Sequence, residues 1–345
     1  MARKSKRELA GAPGSAAAPL TVADVALQAG VSPITVSRAL HRPELVNEAT
    51  RERVLETVRR MGYVPNLLAG SLASSRSHLV AVLLPTIANS IFADAVHAIM
   101  DRLTQAGYQT LLGRTGYSPE HEEVLLEAIL GRRPDGVVLT GTLHTPGSRA
   151  RLASAGIPVV EAWDLSDTVL DMQVGFSHEA VGEAVAEHFF AKGYRRFAVI
   201  TVDDPRGLRR CNRLIERLRG HGITEVPVQV LPLPATFEVG RLGLQALLAA
   251  HPAPGLVFCS SDTVAMGVLA EAASRGLRVP QDIAVLGFGD TTNAAFAHPA
   301  LSSVSVHARA MGEQVAQALL DRFSHSATTQ TQFDTGFSLV ERAST

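Results

Sequence analysis

From Leu79 onward the chain alternates short aliphatic runs with longer amphipathic stretches, and it does so in two successive series. The first series runs LVAVLLP, the helical stretch IFADAVHAIMDRLTQAG, QTLL, a helix from Pro119 to Leu130, GVVLT, a helix near Ser148 to Ala155, and PVVEA. The second begins at Ser177 with a helix to Lys192. It continues FAVIT, helix to Arg219, VQVL, helix Phe237 to Ala250, LVFCS, helix Thr263 to Arg275, and IAVLGF. Apolar runs this short, bounded by turn residues, read as strands buried on both faces. Parallel strands need a crossover, and the amphipathic stretches supply it. The pattern therefore predicts an α/β chain with two doubly wound parallel-sheet lobes over residues 78–345.

Composition narrows the class. Hydrophobic residues make up 46% and charged residues 19%, which excludes general disorder, and only 5% are aromatic, so the core is aliphatic. The longest apolar run, Leu79 to Leu84, is far below the roughly 18 residues of a membrane-spanning helix. Residues 1–19 are basic but lack an apolar central segment, so they read as a flexible arm and not an export signal. Cys211 and Cys259 are too few for a disulfide framework. A cytoplasmic protein without membrane association is expected.

Charge is uneven. Residues 1–76 hold 11 Lys and Arg against 6 Asp and Glu, and the remainder 21 against 27. A basic end on an acidic body points to a polyanionic partner. Residues 20–62 read as three short helices. Thr21 with Asp24 forms a capping-box variant, Ser32 and Pro33 start a second helix, and Asn47 caps a third that ends near Gly62. In VADVALQAGVSPITVSRAL, Ala26 allows a close helix crossing and Gly30 supplies a turn with positive φ. The second helix, Pro33 to Leu40, exposes Ile34, Thr35, Ser37 and Arg38. Short polar side chains with one arginine suit a helix entering the major groove. A generic helical hairpin is the plainer alternative. Residues 63–77, YVPNLLAGSLASSRS, read as a linker.

ADVALQAGVSPITVSRAL, followed by VNEATRERVLETVRRMGYVPNLLAGSLAS, resembles the DNA-binding headpiece of the lac repressor family of bacterial transcription regulators. The likeness extends through LLPTIANSIFADAVHAIMD, SSDTVAMGVLAEAASRGLRVPQDIAVLGFGD and LSSVSV. Within the family, GYQTLLGRTGYSPEHEEVLLEAIL, HTP and AGIPVVE with LDMQVGF resemble the gluconate-operon repressor branch. The resemblance implies a hinge helix at NLLAGSLAS, formed on DNA, with Asn66 contacting DNA and Leu72 wedging into the minor groove. Many members carry a basic residue after that leucine, where this chain has Ala73. Thr21, Ser32, Pro33, Ile34, Thr35, Ser37 and Arg38 are the other DNA-contact candidates.

Enzyme motifs are weak. No phosphate loop or nucleophile elbow occurs, and GFGDTT holds only the first two glycines of the dinucleotide pattern. Asp94, His97 and Asp101 share a helical face that could hold a metal, but a solvated face is the simpler reading. No catalytic residue, cofactor or metal is expected.

Two doubly wound lobes leave a cleft at their strand C-terminal ends, where ligands sit. Arg114 just past QTLL, and Trp163 just past PVVEA, belong there. The resemblance adds Arg210 as the effector arginine, with Arg206 and Arg209 close enough to share the role, and Asp164 for sugar hydroxyls. Ser261 falls where an asparagine is common. Asp290 lies beside Gly289, which replaces a usual aspartate. Asp262 reads as a helix cap. The expected function is a dimeric, ligand-responsive repressor binding double-stranded operator DNA and released by a sugar acid resembling gluconate. A co-repressor-dependent regulator and a sugar-binding receptor without DNA function are the alternatives. No heptad helix follows LVERAST, so a dimer and not a tetramer is expected.

Overall fold

The computed structural model describes residues 20–64, 76–87, 90–326 and 330–345. These residues fall into two compact units that divide at Arg76. Asn66 and Leu72, with the rest of the hinge segment, lie outside the described residues, as does the arm.

The first unit is three helices, α1 (Val22–Ala29), α2 (Pro33–His41) and α3 (Glu48–Met61). Their caps are those the sequence predicts. Thr21 and Asp24 close a capping box, Ser32 accepts from the Thr35 amide, and Asn47 accepts from the Thr50 amide. Gly30 ends α1 at φ +64°, a left-handed conformation that costs a residue with a Cβ about 1 kcal/mol or more. Val25, Val36 and Val54 are fully buried among Ala26, Ala29, Ala39 and Tyr63. In so small a unit each buried valine, worth about 1.5–3 kcal/mol, is a large share of the stability.

The second unit holds two six-stranded sheets. The first contains β1 (Leu79–Leu84), β2 (Gln109–Arg114), β3 (Gly136–Thr140), β4 (Val159–Ala162) and β5 (Met172–Gly175), closed by β11 (Gln332–Asp334). Its order is β2-β1-β3-β4-β5-β11. The second contains β6 (Phe197–Val202), β7 (Val228–Leu231), β8 (Leu256–Cys259), β9 (Ala284–Gly289), β10 (Ser302–Ser305) and β12 (Ser338–Val340), in the order β7-β6-β8-β9-β10-β12. All pairings are parallel except β12 against β10. The same order in both sheets places a topological switch at the carboxyl ends of β1 and β3, and of β6 and β8.

Helices α4 (Ser90–Gln105), α5 (Pro119–Leu130) and α6 (Pro146–Ala155) belong to the first lobe. The second holds α7 (His178–Ala191), α8 (Pro205–Gly220), α9 (Phe237–Ala250), α10 (Asp262–Ser274) and the short α11 (Thr292–Phe296). The lobes are not simply consecutive. After β10 the chain returns to the first lobe as α12 (Ala308–Phe323), which packs on α4, and as β11. It then crosses back to end as β12. Gly312 makes the α12–α4 crossing possible, since a Cβ there would lie 2.3 Å from the carbonyl oxygen of Ala95. The periodicity read from the sequence assigns none of β5, β10, β11, β12 and α12. These strands have only three or four residues, and β10 is SSVS, which has no aliphatic run. Among the described residues no helix is long and apolar enough to cross a membrane.

Beneath the first sheet lies a buried polar cluster. His144, its side chain fully enclosed, sits between Glu122 of α5 at 2.6 Å and Glu161 of β4 at 3.4 Å. Glu161 also accepts from the Leu170 amide at 2.9 Å and from Gln173 at 3.1 Å. Burial pulls the His144 pKa down. Hydrogen bonds and charge from the two glutamates more than reverse this and hold it at about 9.

Candidate functional site

The first candidate surface is the outer face of α2. Val36 and Ala39 point inward, so the helical period leaves Ile34, Ser37 and Arg38 exposed. Thr35 is half-buried, its hydroxyl 2.9 Å from that of Ser32. Ile34 is 64% exposed and Leu27 of α1 is 81% exposed, high values for aliphatic side chains beside a free arginine-bearing face. Thr21, Ser32 and Pro33 lie at exposed helix starts.

The second site is a small cleft, open in part to solvent, between the carboxyl ends of the two sheets. The first lobe supplies Trp163 after β4, Tyr117 after β2, and Ile91 and Phe92 of α4. Phe176 and His178 enter from the crossover between β5 and α7. The second lobe supplies Asp204 and Arg206 after β6, Arg210 of α8, Ser260 and Ser261 after β8, and Phe288 of β9. One wall is aromatic and the other polar, a lining suited to a small polar ligand with a carbon backbone.

Arg210 is the central charge. It is 4% exposed, and burial lowers its pKa to about 10. Among the described residues no carboxylate lies within ion-pair distance of it. Its guanidinium lies 3.7 Å from the centre of the Phe288 ring, donates to the Ser260 carbonyl at 3.1 Å, and lies 2.9 Å from His178 Nδ1. His178 Nε2 is 3.0 Å from the Trp163 carbonyl oxygen. Burial, and then the charges of Arg210, Arg206 and Arg209, push the His178 pKa well below its usual value. Trp163 is 3% exposed, meets Phe92 edge-on at 5.1 Å, and takes φ +67°. The Trp163 indole nitrogen, Arg210 Nε and the Ser260 hydroxyl have no hydrogen-bond partner among the described residues. Arg206 contacts Asp204 loosely at 3.4 Å and lies 5.8 Å from the Phe92 ring. Tyr117 has its pKa pushed up to about 12, burial being the main cause.

The cavity thus gathers Trp163, Arg206, Arg210 and Ser261 of the sequence candidates, Ser261 also capping α10 by accepting from the Val264 amide. Asp164, Arg114 and Asp290 do not line it. Asp164 is 1% exposed, held by Arg209 at 2.5 and 2.6 Å and by the Thr142 hydroxyl at 3.2 Å, so its oxygens are engaged. That ion pair ties α8 of the second lobe to the end of β4 in the first. Arg114 ends β2 with Gly113 buried, so strand alternation turns its side chain out to solvent. Asp290 pairs with Arg342 at 2.8 Å. Asp262 is not the cap: Ser261 is. The Asp262 carboxylate instead accepts from the Thr291 amide and hydroxyl and the Ser303 hydroxyl. Sequence reasoning missed His178, Tyr117 and Phe288, because β5 was unassigned and aromatic residues carry no spacing signal. Cys211 and Cys259 are buried, and burial raises both thiols, Cys211 to about 11, which disfavours the reactive thiolate.

Residues 21–66 match the model of bacterial regulatory proteins of the lacI family, and residues 186–345 that of a periplasmic binding protein-like domain. The chain is 38% identical to the HTH-type transcriptional regulator GntR of Pseudomonas aeruginosa over 94% of its length and 95% of that protein's. It is 33% identical to the GntR regulator of Escherichia coli K12, covering 92% and 96%. A LacI-family transcriptional regulator from Silicibacter pomeroyi superposes with TM-score 0.89 at 32% identity, over 94% of this chain and 99% of that one. A lac repressor dimer bound to operator and the anti-inducer ONPF superposes with TM-score 0.80 at 25% identity, over 95% and 99%. With a helix-turn-helix unit, two lobes in the same strand order and near full-length similarity to these regulators, the chain belongs to the lacI family of bacterial regulatory proteins, as a DNA-binding transcription regulator that responds to a ligand.

Proposed function

We propose that the cavity binds a sugar acid resembling gluconate, and that this ligand releases the protein from its operator. The supporting observation is Arg210, a buried guanidinium with no carboxylate within ion-pair distance among the described residues, Asp204 acting on it only through longer-range charge. A buried charge is costly unless paired, and a ligand carboxylate would complete it with a forked pair of hydrogen bonds. Trp163 and Phe288 offer faces for the carbon backbone of a polyol, while the Ser260 hydroxyl and the Trp163 indole N–H suit its hydroxyls. The protein acts by binding and not by catalysis, in the cytoplasm, as a homodimer whose two helix-turn-helix units read the halves of a near-palindrome. Residues 63–77 serve as the hinge between the unit at 20–62 and the two-lobed core, with Asn66 and Leu72 meeting DNA. A ligand that prefers one arrangement of the lobes depopulates the DNA-competent state. Isothermal calorimetry against D-gluconate, free gluconic lactone and glucose, paired with mobility shift on operator DNA, tests this reading. Gluconate that neither binds nor shifts operator affinity, where glucose does both, would overturn it.

On the DNA side, Arg38 reads a base edge. An arginine forked onto a guanine contributes about 1–3 kcal/mol of discrimination. Arg38→Ala is expected to weaken operator binding roughly 5- to 150-fold and to leave binding to random DNA nearly unchanged. Equal losses on both DNAs would mean that Arg38 contacts only phosphate.

A further inference from the structure

His178 lies at the crossover between lobes, at the first position of α7, and is 2% exposed. Its two ring nitrogens face different lobes. Nδ1 is 2.9 Å from the guanidinium of Arg210, on α8 of the second lobe. Nε2 is 3.0 Å from the carbonyl oxygen of Trp163, at the end of β4 in the first. A guanidinium only donates and a carbonyl only accepts. The ring therefore accepts through Nδ1 and donates through Nε2–H, which fixes a single neutral tautomer. Protonation would set an N–H of the ring against an N–H of Arg210. The surrounding charges, Arg206, Arg209 and Arg210 of α8, oppose it as well.

We propose that His178 is the positioning residue of the cavity. Locked as the neutral Nε2–H tautomer, it holds the guanidinium of Arg210 and the backbone of Trp163 at fixed places on opposite walls. A hydrogen-bonded line thus runs from the Ser260 carbonyl through Arg210 and His178 to the Trp163 carbonyl, crossing from one lobe to the other. Trp163 sits at φ +67°, a conformation disfavoured for any residue but glycine, so its backbone needs such an external tether. Phe176 braces the ring edge-on at 4.7 Å. For its effect on ligand affinity the proposal rests on the effector reading of the cavity. The lock itself belongs to the free protein.

The test uses the full chain labelled with nitrogen-15 in histidine, and D-gluconate as the probe. In the free protein the His178 ring should stay neutral, with its proton on Nε2, between about pH 5.5 and 8. A protonated ring, or the Nδ1–H tautomer, overturns the proposal without any variant. Three substitutions then separate the two bonds. His178→Gln places an amide N–H near the Nε2 position, His178→Asn places an amide oxygen near Nδ1, and His178→Leu provides neither. Trp163 is the only tryptophan, so its emission reports its own placement. His178→Leu and His178→Asn should shift that emission and raise quenching by acrylamide, and His178→Gln should restore it. Gluconate should bind His178→Leu roughly tenfold to a hundredfold more weakly, with His178→Asn recovering part of the loss. Unchanged emission and unchanged affinity in a folded His178→Leu variant would overturn the positioning role. If wild type does not bind gluconate, the effector reading falls, and the tautomer and emission results alone decide the role of His178.

Discussion

Arg210→Ala is expected to bind operator DNA like wild type and to lose its response to gluconate. Truncating one partner of a buried, hydrogen-bonded charge pair costs about 2–5 kcal/mol, or roughly 30- to 5,000-fold in affinity. The guanidinium is far from the helix-turn-helix surface in sequence, and the residues that hold it, Ser260, His178 and Phe288, all belong to the cavity. Arg210→Met separates charge from volume, since it keeps apolar contact with Phe288 but has no charge to offer a carboxylate. It should fail as Arg210→Ala does. Arg210→Lys retains the charge and loses the planar fork, and its response should fall between these two and wild type. Calorimetry and operator release measured on the same preparations check the set. A methionine variant that still responds at the wild-type gluconate concentration would remove the carboxylate from this position in the cavity.

The second large effect concerns stability. His144→Leu should destabilise the two-lobed core by about 3–5 kcal/mol at neutral pH, because it strands Glu161 and Glu122 with no cation between them. The wild-type protein carries a pH signature of the same cluster. A folded-state pKa near 9, above the ordinary histidine value of 6.5, means that the stabilisation is complete below about pH 6.5. It is lost as pH rises from there through about 9. Urea midpoints measured from pH 6 to pH 9.5 should fall over that window in wild type and change less in His144→Leu. A midpoint that is flat in wild type would show that folding leaves the His144 pKa where it lies in the unfolded chain.

The two-lobed architecture and the helix-turn-helix unit were legible in the sequence because each rests on a local signal. Apolar runs of three to six residues announce β1, β3, β6 and β9, and Thr21, Ser32 and Asn47 cap helices by purely local hydrogen bonds. The parts that stayed hidden are those fixed by partners distant in the chain. β11 is only QFD and is a strand because β5 offers it an edge. Trp163 could be placed past a strand end and Arg210 in the helix after FAVIT, but not the His178 ring that bridges them, since His178 looks in sequence like one more residue after a serine cap. Asp164 shows the converse. Its place after β4 suggested a ligand-facing carboxylate, and only the fold reveals that Arg209, forty-five residues later, already occupies it. Likewise Arg114 follows a correctly read strand, and its outward direction depends on the buried neighbour Gly113.

The return of α12 and β11 to the first lobe has a consequence for synthesis. The ribosome delivers β1 to β5 and α4 to α6 long before it delivers Gln332, so the early lobe emerges with the edge of β5 open and the face of α4 uncovered. At about 5–20 residues per second, the interval between Gly175 and Gln332 lasts on the order of 10–30 s. During that time an unpaired parallel edge is available to other nascent chains. Neither lobe is therefore a unit that can be cut out or finished early: residues made long after β5, in α12 and β11, are the ones that seal the first lobe.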